Sequence, residues 1–117
     1  MNQRAVGSKW ELKAKVMLEQ QGYQIIEMNY RCRQGEIDLI GYDGSILCFI
    51  EVKFRKHSNY GTPGEAITPQ KQKRISQAAI YYLYQKQLAE DIPCRYDAVL
   101  ITDETMELIK NAFGGMA

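Results

Sequence analysis

The sequence predicts an α/β fold, a mixed central sheet with helices packed on it. Three observations predict it. Residues 35–55, GEIDLIGYDGSILCFIEVKFR, read as two apolar strands about an Asp-Gly turn. A helical stripe of apolar residues stands before this hairpin and another after it. A further apolar strand, RYDAVLIT (95–102), follows the second helix.

Residues 8–21 read as a helix with Ser8 at its N-cap, an apolar stripe of Trp10, Ala14, Met17 and Leu18, and Gly22 as its stop. YQIIEMNYR (23–31) is a strand of mixed alternation. GEIDLIGY and SILCFIEVKFR form the hairpin, with Asp43-Gly44 as a two-residue turn. KHSNYGTPGEAI (56–67) has the Gly, Asn, Ser and Pro content of a loop. Thr68-Pro69 starts the second helix, Thr68 as N-cap and Pro69 in the first turn, and the helix is expected to run to about Ala89. Ile75, Ala78, Ala79 and Tyr82 would be its buried face. A short last strand is expected within 105–113.

A chain of 117 residues is enough for one domain, 1–117, with its own core. The formal net charge of +1 gives no bulk attraction for a polyanion, so any basic site has to come from local clustering. MNQRAVGSKWELK contains no apolar segment of the signal-peptide kind, and no apolar run approaches the roughly 18 residues of a membrane span. The three cysteines, Cys32, Cys48 and Cys94, match no zinc or CxxC spacing and read as reduced thiols of a cytoplasmic protein. A single histidine, His57, excludes a multi-histidine metal centre.

Three charges stand inside the hairpin strands: Asp38, Glu51 and Lys53. With a two-residue Asp43-Gly44 turn, residue 38 would face 49 and residue 36 would face 51. Asp38 and Glu51 would then be diagonal neighbours on one face, about 7–8 Å apart at Cβ, with Lys53 further along it. Ile37 and Leu39 would share the opposite, apolar face with Cys48, Ile50, Val52 and Phe54. Two carboxylates and few other donors suit Mg²⁺, which prefers oxygen and keeps several waters. An ammonium beside such an ion can orient water or stabilise developing charge, which is the equipment of phosphodiester hydrolysis. The other reading is an ordinary acid–lysine pair on a solvated sheet face.

At these residues the chain resembles a known family. Asp38 followed by Glu51-Val52-Lys53 resembles the D…(D/E)xK signature of the restriction-endonuclease-like nucleases. NYRCRQGEIDLI (29–40), FIEVKFR (49–55), YGTPGEAITPQKQKRI (60–75), RYDAVLI (95–101) and KNAFGG (110–115) are similar, in order, to the uncharacterised YraN-like family, whose members resemble archaeal Holliday-junction resolvases. The resemblance implies a restriction-endonuclease-like core. It also implies Asp38 and Glu51 as metal ligands, the Val52 carbonyl as a further ligand, and Lys53 as the catalytic lysine, with Mg²⁺ or Mn²⁺ as cofactor. Glu11 matches the first-helix glutamate that often completes such sites, although Trp10 stands where the family usually has a small residue.

Several supporting residues carry two readings each. Ser8-x-x-Glu11 is also a capping-box pattern, in which Glu11 would bond back to the helix start. Lys71, Lys73 and Arg74 crowd the first turns of the second helix, where cations oppose its dipole. A phosphate there would offset that penalty, with Gln70 beside it; a solvated basic face is the alternative. Arg31 and Arg33 before the hairpin and Arg55 after it would complete a basic rim of the kind that gives nucleic acids salt-dependent affinity. Three functions therefore compete: a Mg²⁺-dependent nuclease acting on DNA, branched DNA included, in which case symmetric cutting would call for a homodimer; a nucleic-acid-binding protein without catalysis; and a protein-interaction module using the sheet edge and the tyrosine-bearing helix.

Overall fold

The computed structural model describes residues 3–54, 67–89, 91–102 and 105–114, with side chains from residue 9 onward. The elements are α1 (Gln3–Gln20), β1 (Tyr23–Cys32), β2 (Gly35–Asp43), β3 (Ile46–Phe54), α2 (Pro69–Gln85), β4 (Cys94–Ile101) and β5 (Met106–Ile109). The strands form one mixed sheet in sequence order, β1-β2-β3-β4-β5, antiparallel except for the parallel β3–β4 pair. A parallel pair needs a crossover, and the segment containing α2 supplies it. The expected mixed sheet flanked by helices is thus the observed architecture, and it is compatible with a restriction-endonuclease-like fold.

Two apolar layers sandwich the sheet. Ala14 and Leu18 of α1 pack on Tyr23, Leu39, Cys48, Ile50, Val99 and Ile101. Ile75, Ala78, Ala79 and Tyr82 of α2, the four residues expected from helical spacing, pack on Tyr30, Ile37, Ile40, Leu47, Phe49 and Ala98. β3 is covered on both faces, which is why ILCFI reads as a continuous apolar run rather than an alternation.

Four sequence expectations move. α1 begins at Gln3, so Ser8 lies inside the helix rather than at its start. Gln3 to Val6 are compatible with helix, and one Gly7 costs too little to stop it. α2 ends earlier than expected, at Gln85, where Lys86 caps it and Gln87 turns the chain left-handed at φ 55°. Its N-terminus is as expected: Thr68 accepts a hydrogen bond from the Lys71 amide.

The hairpin turn is the third difference. Asp43 pairs with Ile46, so the turn is Gly44-Ser45, with Gly44 at φ 63°. Ile40 accordingly faces Phe49, a register displaced by two residues from the expected one. An even displacement keeps each side chain on its face.

The fourth difference does change faces. Tyr30 and Ile37 are opposite each other and belong to the α2 layer, whereas Met28 and Leu39 are opposite each other and belong to the α1 layer. Alternation therefore breaks at Asn29 and Asp38, and Ile37 leaves the face it was expected to share with Leu39. Asn29 is in the left-handed region at φ 56°, a conformation that asparagine tolerates better than most residues. A second irregularity lies nearby, where Ile26 is the extra residue of a bulge opposite Gly41. A Cβ on Gly41 would lie 2.6 Å from the Gln24 carbonyl oxygen, so only glycine lets the bulged strand come this close.

Candidate active site

The candidate site forms where β2 and β3 part. Their ladder runs from Asp43–Ile46 to Leu39–Ile50 and stops, although both strands continue. β3 stays paired on its other side to β4 as far as Phe54–Ile101. Beyond the ladder the Val52 amide would lack a strand partner, and the Asp38 carboxylate takes its place, accepting the Val52 N–H at 2.8 Å. The side chain at the alternation break is thus drawn into the gap between the strands.

The gap collects the acids singled out in the sequence. Glu51, the last buried residue of β3, is only 5% exposed. The displaced register places Asp38 level with it rather than diagonal to it, and the two carboxyls come within hydrogen-bonding reach of each other. Glu11 reaches the same Asp38 carboxyl from α1. Glu11 is one helical turn from Ala14, on the side of α1 that faces the sheet. Trp10 is accommodated beside it by stacking on Phe54, with ring centroids 4.6 Å apart, and Lys13 lies over the indole. The bulky residue at that position therefore packs outward along β3 and leaves Glu11 aimed at Asp38.

The electrostatics follow from crowding. Burial, then the proximity of Asp38, push the Glu51 carboxyl up to about 9, while Lys71 pulls it back. Burial and Asp38 likewise push Glu11 up to about 7, opposed by Asn29. The Lys71 ammonium lies 3.3 Å from Glu51 Oε2. Its burial alone would depress it, but Glu51 and Asp38 outweigh that and hold it above the ordinary lysine value. The cluster is thus short of positive charge.

Among the described residues the donor set is carboxylate oxygen without thiolate or imidazole, which suits a hard divalent cation. Among the described residues no three acidic, histidine or cysteine side chains form a ready-made cage. A Mg²⁺-type site does not require one, since one or two carboxylates with water and substrate oxygen suffice. Asp38 and Glu51 are the pair placed for this, with Glu11 as the third acid behind Asp38. Val52 sits between Glu51 and Lys53 and already commits its amide to Asp38. Lys53 is half-buried on β3, two residues past Glu51.

The basic rim is partly assembled. Arg31, Cys32, Gly35, Glu36, Lys71 and Arg74 line a pocket of about 290 Å³ beside Glu51. Gly35 allows it to be narrow: a Cβ there would sit 3.1 Å from the Arg74 carbonyl oxygen. Arg31 pairs with Glu36 at 3.2 Å. Arg33, Gln70 and Lys73 are exposed and line no part of this pocket, and Arg55 lies outside the described residues. Lys71, expected as a phosphate contact, lies with its ammonium beside Glu51 and also lines this pocket.

One site residue escaped sequence reasoning. Asn29 is set in the left-handed region opposite Asp38; with its side-chain amide oriented nitrogen-first, the assignment that satisfies the hydrogen bonding, it donates to Glu11 Oε1 at 2.7 Å and lies 3.2 Å from Oε2. It ties the α1 acid to the strand break. A polar residue in the middle of an otherwise strand-like YQIIEMNYRC was the available signal.

Comparison with known proteins bears on the family. The profile described as Uncharacterised protein family UPF0102 matches residues 10–101. A UPF0102 protein of Lachnoclostridium phytofermentans is 49% identical over 97% of this chain and 96% of its own length. One from Nitrosomonas eutropha is 45% identical over 92% of this chain and 91% of its own. A third, from Klebsiella pneumoniae, is 42% identical over 95% and 88% respectively. These relatives span nearly the whole chain, and it belongs to the UPF0102, or YraN-like, family.

Proposed function

We propose that this protein is a divalent-metal-dependent nuclease hydrolysing phosphodiester bonds in DNA. The observation that carries the reading is the crowding of Glu11, Asp38 and Glu51 at the parting of β2 and β3. Burial and mutual repulsion raise two of these acids far above their ordinary range. A stable fold has no need of three carboxylates in one gap, whereas a cation-binding site does.

Asp38 and Glu51 would hold Mg²⁺ or Mn²⁺, with Glu11 and the Val52 carbonyl as further donors. The bound cation would supply an acidified water and a sink for phosphate charge. Lys53, on the same strand, is the group to orient the attacking water and stabilise charge developing on the phosphate. Arg31 and Arg74 at the adjacent pocket, with Arg33, Gln70, Lys73 and Arg55 around it, would seat neighbouring phosphates of the strand. A cytoplasmic location and a homodimer that cuts two strands symmetrically belong to the same reading.

The test is a Mg²⁺ and Mn²⁺ cleavage panel over single-stranded, duplex, flap and four-way DNA and RNA, with Glu51→Ala and Asp38→Ala as controls. Cleavage of DNA that needs the cation and both acids supports the proposal. Equal cleavage in chelator would sink the mechanism. Salt-sensitive binding with no cleavage of any substrate would leave the non-catalytic nucleic-acid-binding function in its place.

A further inference from the structure

We propose that Lys71 is a tethered counter-ion of the acid cluster that competes with a divalent cation for Glu51, so that loading the cation displaces the Lys71 ammonium. This rests on the metal-binding reading above and adds an internal competitor to it. The geometry is specific. Lys71 stands in the first turns of α2, whose start is fixed by the Thr68 cap and Pro69. Its ammonium is 3.3 Å from Glu51 Oε2, although Glu51 is almost fully buried and the lysine side chain is 40% exposed. A surface lysine is therefore bent inward onto a buried acid, away from the water where a long cation is ordinarily better solvated.

The neighbours on α2 behave differently. Lys73 and Arg74 are exposed. Lys71 also lines the pocket that Arg31 and Arg74 share, so a displaced ammonium has an adjacent place to go that is open to solvent. Both occupants of Glu51 are cations, and a carboxylate facing a doubly charged ion and an ammonium at once places like charges together. Removing the ammonium should thus favour the ion, whereas keeping its charge should not.

The experiment is Mn²⁺ titration by calorimetry on the wild type and on Lys71→Met, Lys71→Gln, Lys71→Arg and Lys73→Met, each checked for folding by circular dichroism. Lys71→Met and Lys71→Gln are expected to bind Mn²⁺ roughly tenfold or more tightly than wild type, while Lys71→Arg and Lys73→Met stay within about threefold. Wild-type protein offers a second readout that no variant can spoil. Mn²⁺ should raise the acetylation rate of Lys71 by an amine-reactive ester, measured by mass spectrometry against Lys73 in the same molecule. Saturable Mn²⁺ binding that is equal or weaker in Lys71→Met, with Lys71 acetylation unchanged, overturns the competition and leaves the metal site standing. Absence of saturable Mn²⁺ binding in every protein overturns both.

Discussion

At one end of β2, Asp43 meets Arg95 at 2.7 Å and Lys110 at 3.1 Å. Arg95 also holds the wholly buried Asp97 through Nε at 2.8 Å and Nη2 at 3.0 Å. The Tyr23 hydroxyl donates to Asp97 at 2.7 Å, and the Asn111 amide donates to it at 2.9 Å. One carboxylate thus gathers donors from β1, β4 and the turn that follows β5. At the other end, Asp38 meets two more acids and one backbone amide, and the nearby Lys71 pairs with Glu51. Both ends bury acidic groups, and they are balanced oppositely. The Arg95 end has a donor for each acceptor and can serve stability alone. The Glu51 end has more carboxyls than cations, and the folded chain accommodates them by raising their affinity for protons, the kind of perturbation that marks candidate functional sites.

Removing Arg95 should break the first cluster with the largest effect. Arg95→Met leaves Asp97 buried with its charge uncompensated, and should cost about 3–5 kcal/mol in urea unfolding. Glu51→Gln should act in the other direction. It replaces a buried carboxyl crowded by Asp38 with a neutral amide of the same shape, so the cation-free protein should be as stable as wild type or more so, and a loss comparable to that of Arg95→Met would contradict the contrast.

Acidity separates the two ends further. The folded-state value of Glu51, about 9, lies above its ordinary 4.5. Between those values the native state holds a proton that the unfolded chain has released, so stability falls as pH rises through that window. In chelator the melting temperature should therefore decline from about pH 5 towards pH 9. Glu51→Gln should flatten the slope, and saturating Mg²⁺ should offset it by binding the native state alone. Asp43 has the reverse sign. Arg95 first, then Lys110, lower its value below 3.8, so its contribution is present above that pH and disappears as pH falls through the lowered value. Asp43→Asn should cost about 1 kcal/mol at neutral pH, and the difference from wild type should shrink in acid. A thermal-shift series across pH on wild type, Glu51→Gln and Asp43→Asn reads both slopes.

The two ends also differed in how far the sequence revealed them. Glu51 and Asp38 stood out because each interrupts an apolar strand, and a charge in a would-be core demands a partner. Counting from the turn made them diagonal neighbours on one face, but their level placement was not legible, because register depends on which residues close the turn, and Gly44-Ser45 closes it rather than Asp43-Gly44. The face change at Asn29 was hidden for a related reason: a single left-handed residue inverts the inside–outside pattern of two strands without altering their composition. Glu11 was marked as a candidate, but Ser8 suggested a cap that the longer α1 removes. The Arg95 cluster was invisible as a cluster. Its members are scattered from Tyr23 to Asn111, and only the ordering of the sheet brings them together. The helices were legible because their burial is periodic, as Ile75, Ala78, Ala79 and Tyr82 show.

The smallest effect on stability is expected at the rim, and it sharpens the division between holding the fold and holding a substrate. Arg31 and Glu36 pair at 3.2 Å with both side chains about half exposed. Such a pair contributes roughly 0–0.5 kcal/mol, so neither Arg31→Ala nor Glu36→Gln should move the urea midpoint appreciably. Their effects on DNA should nevertheless be opposite. Arg31→Ala removes a cation from the pocket and leaves Glu36 facing any incoming phosphate, so affinity should fall and the slope of log affinity against log salt should lessen by about 1. Glu36→Gln removes the acid and releases Arg31 for phosphate, so affinity should rise at low salt. Gel-shift titrations at several salt concentrations, with Ca²⁺ in place of Mg²⁺ to prevent cutting, measure both. Equal and unchanged affinities for the two variants would place the DNA elsewhere on the molecule, whatever the fate of the acid cluster.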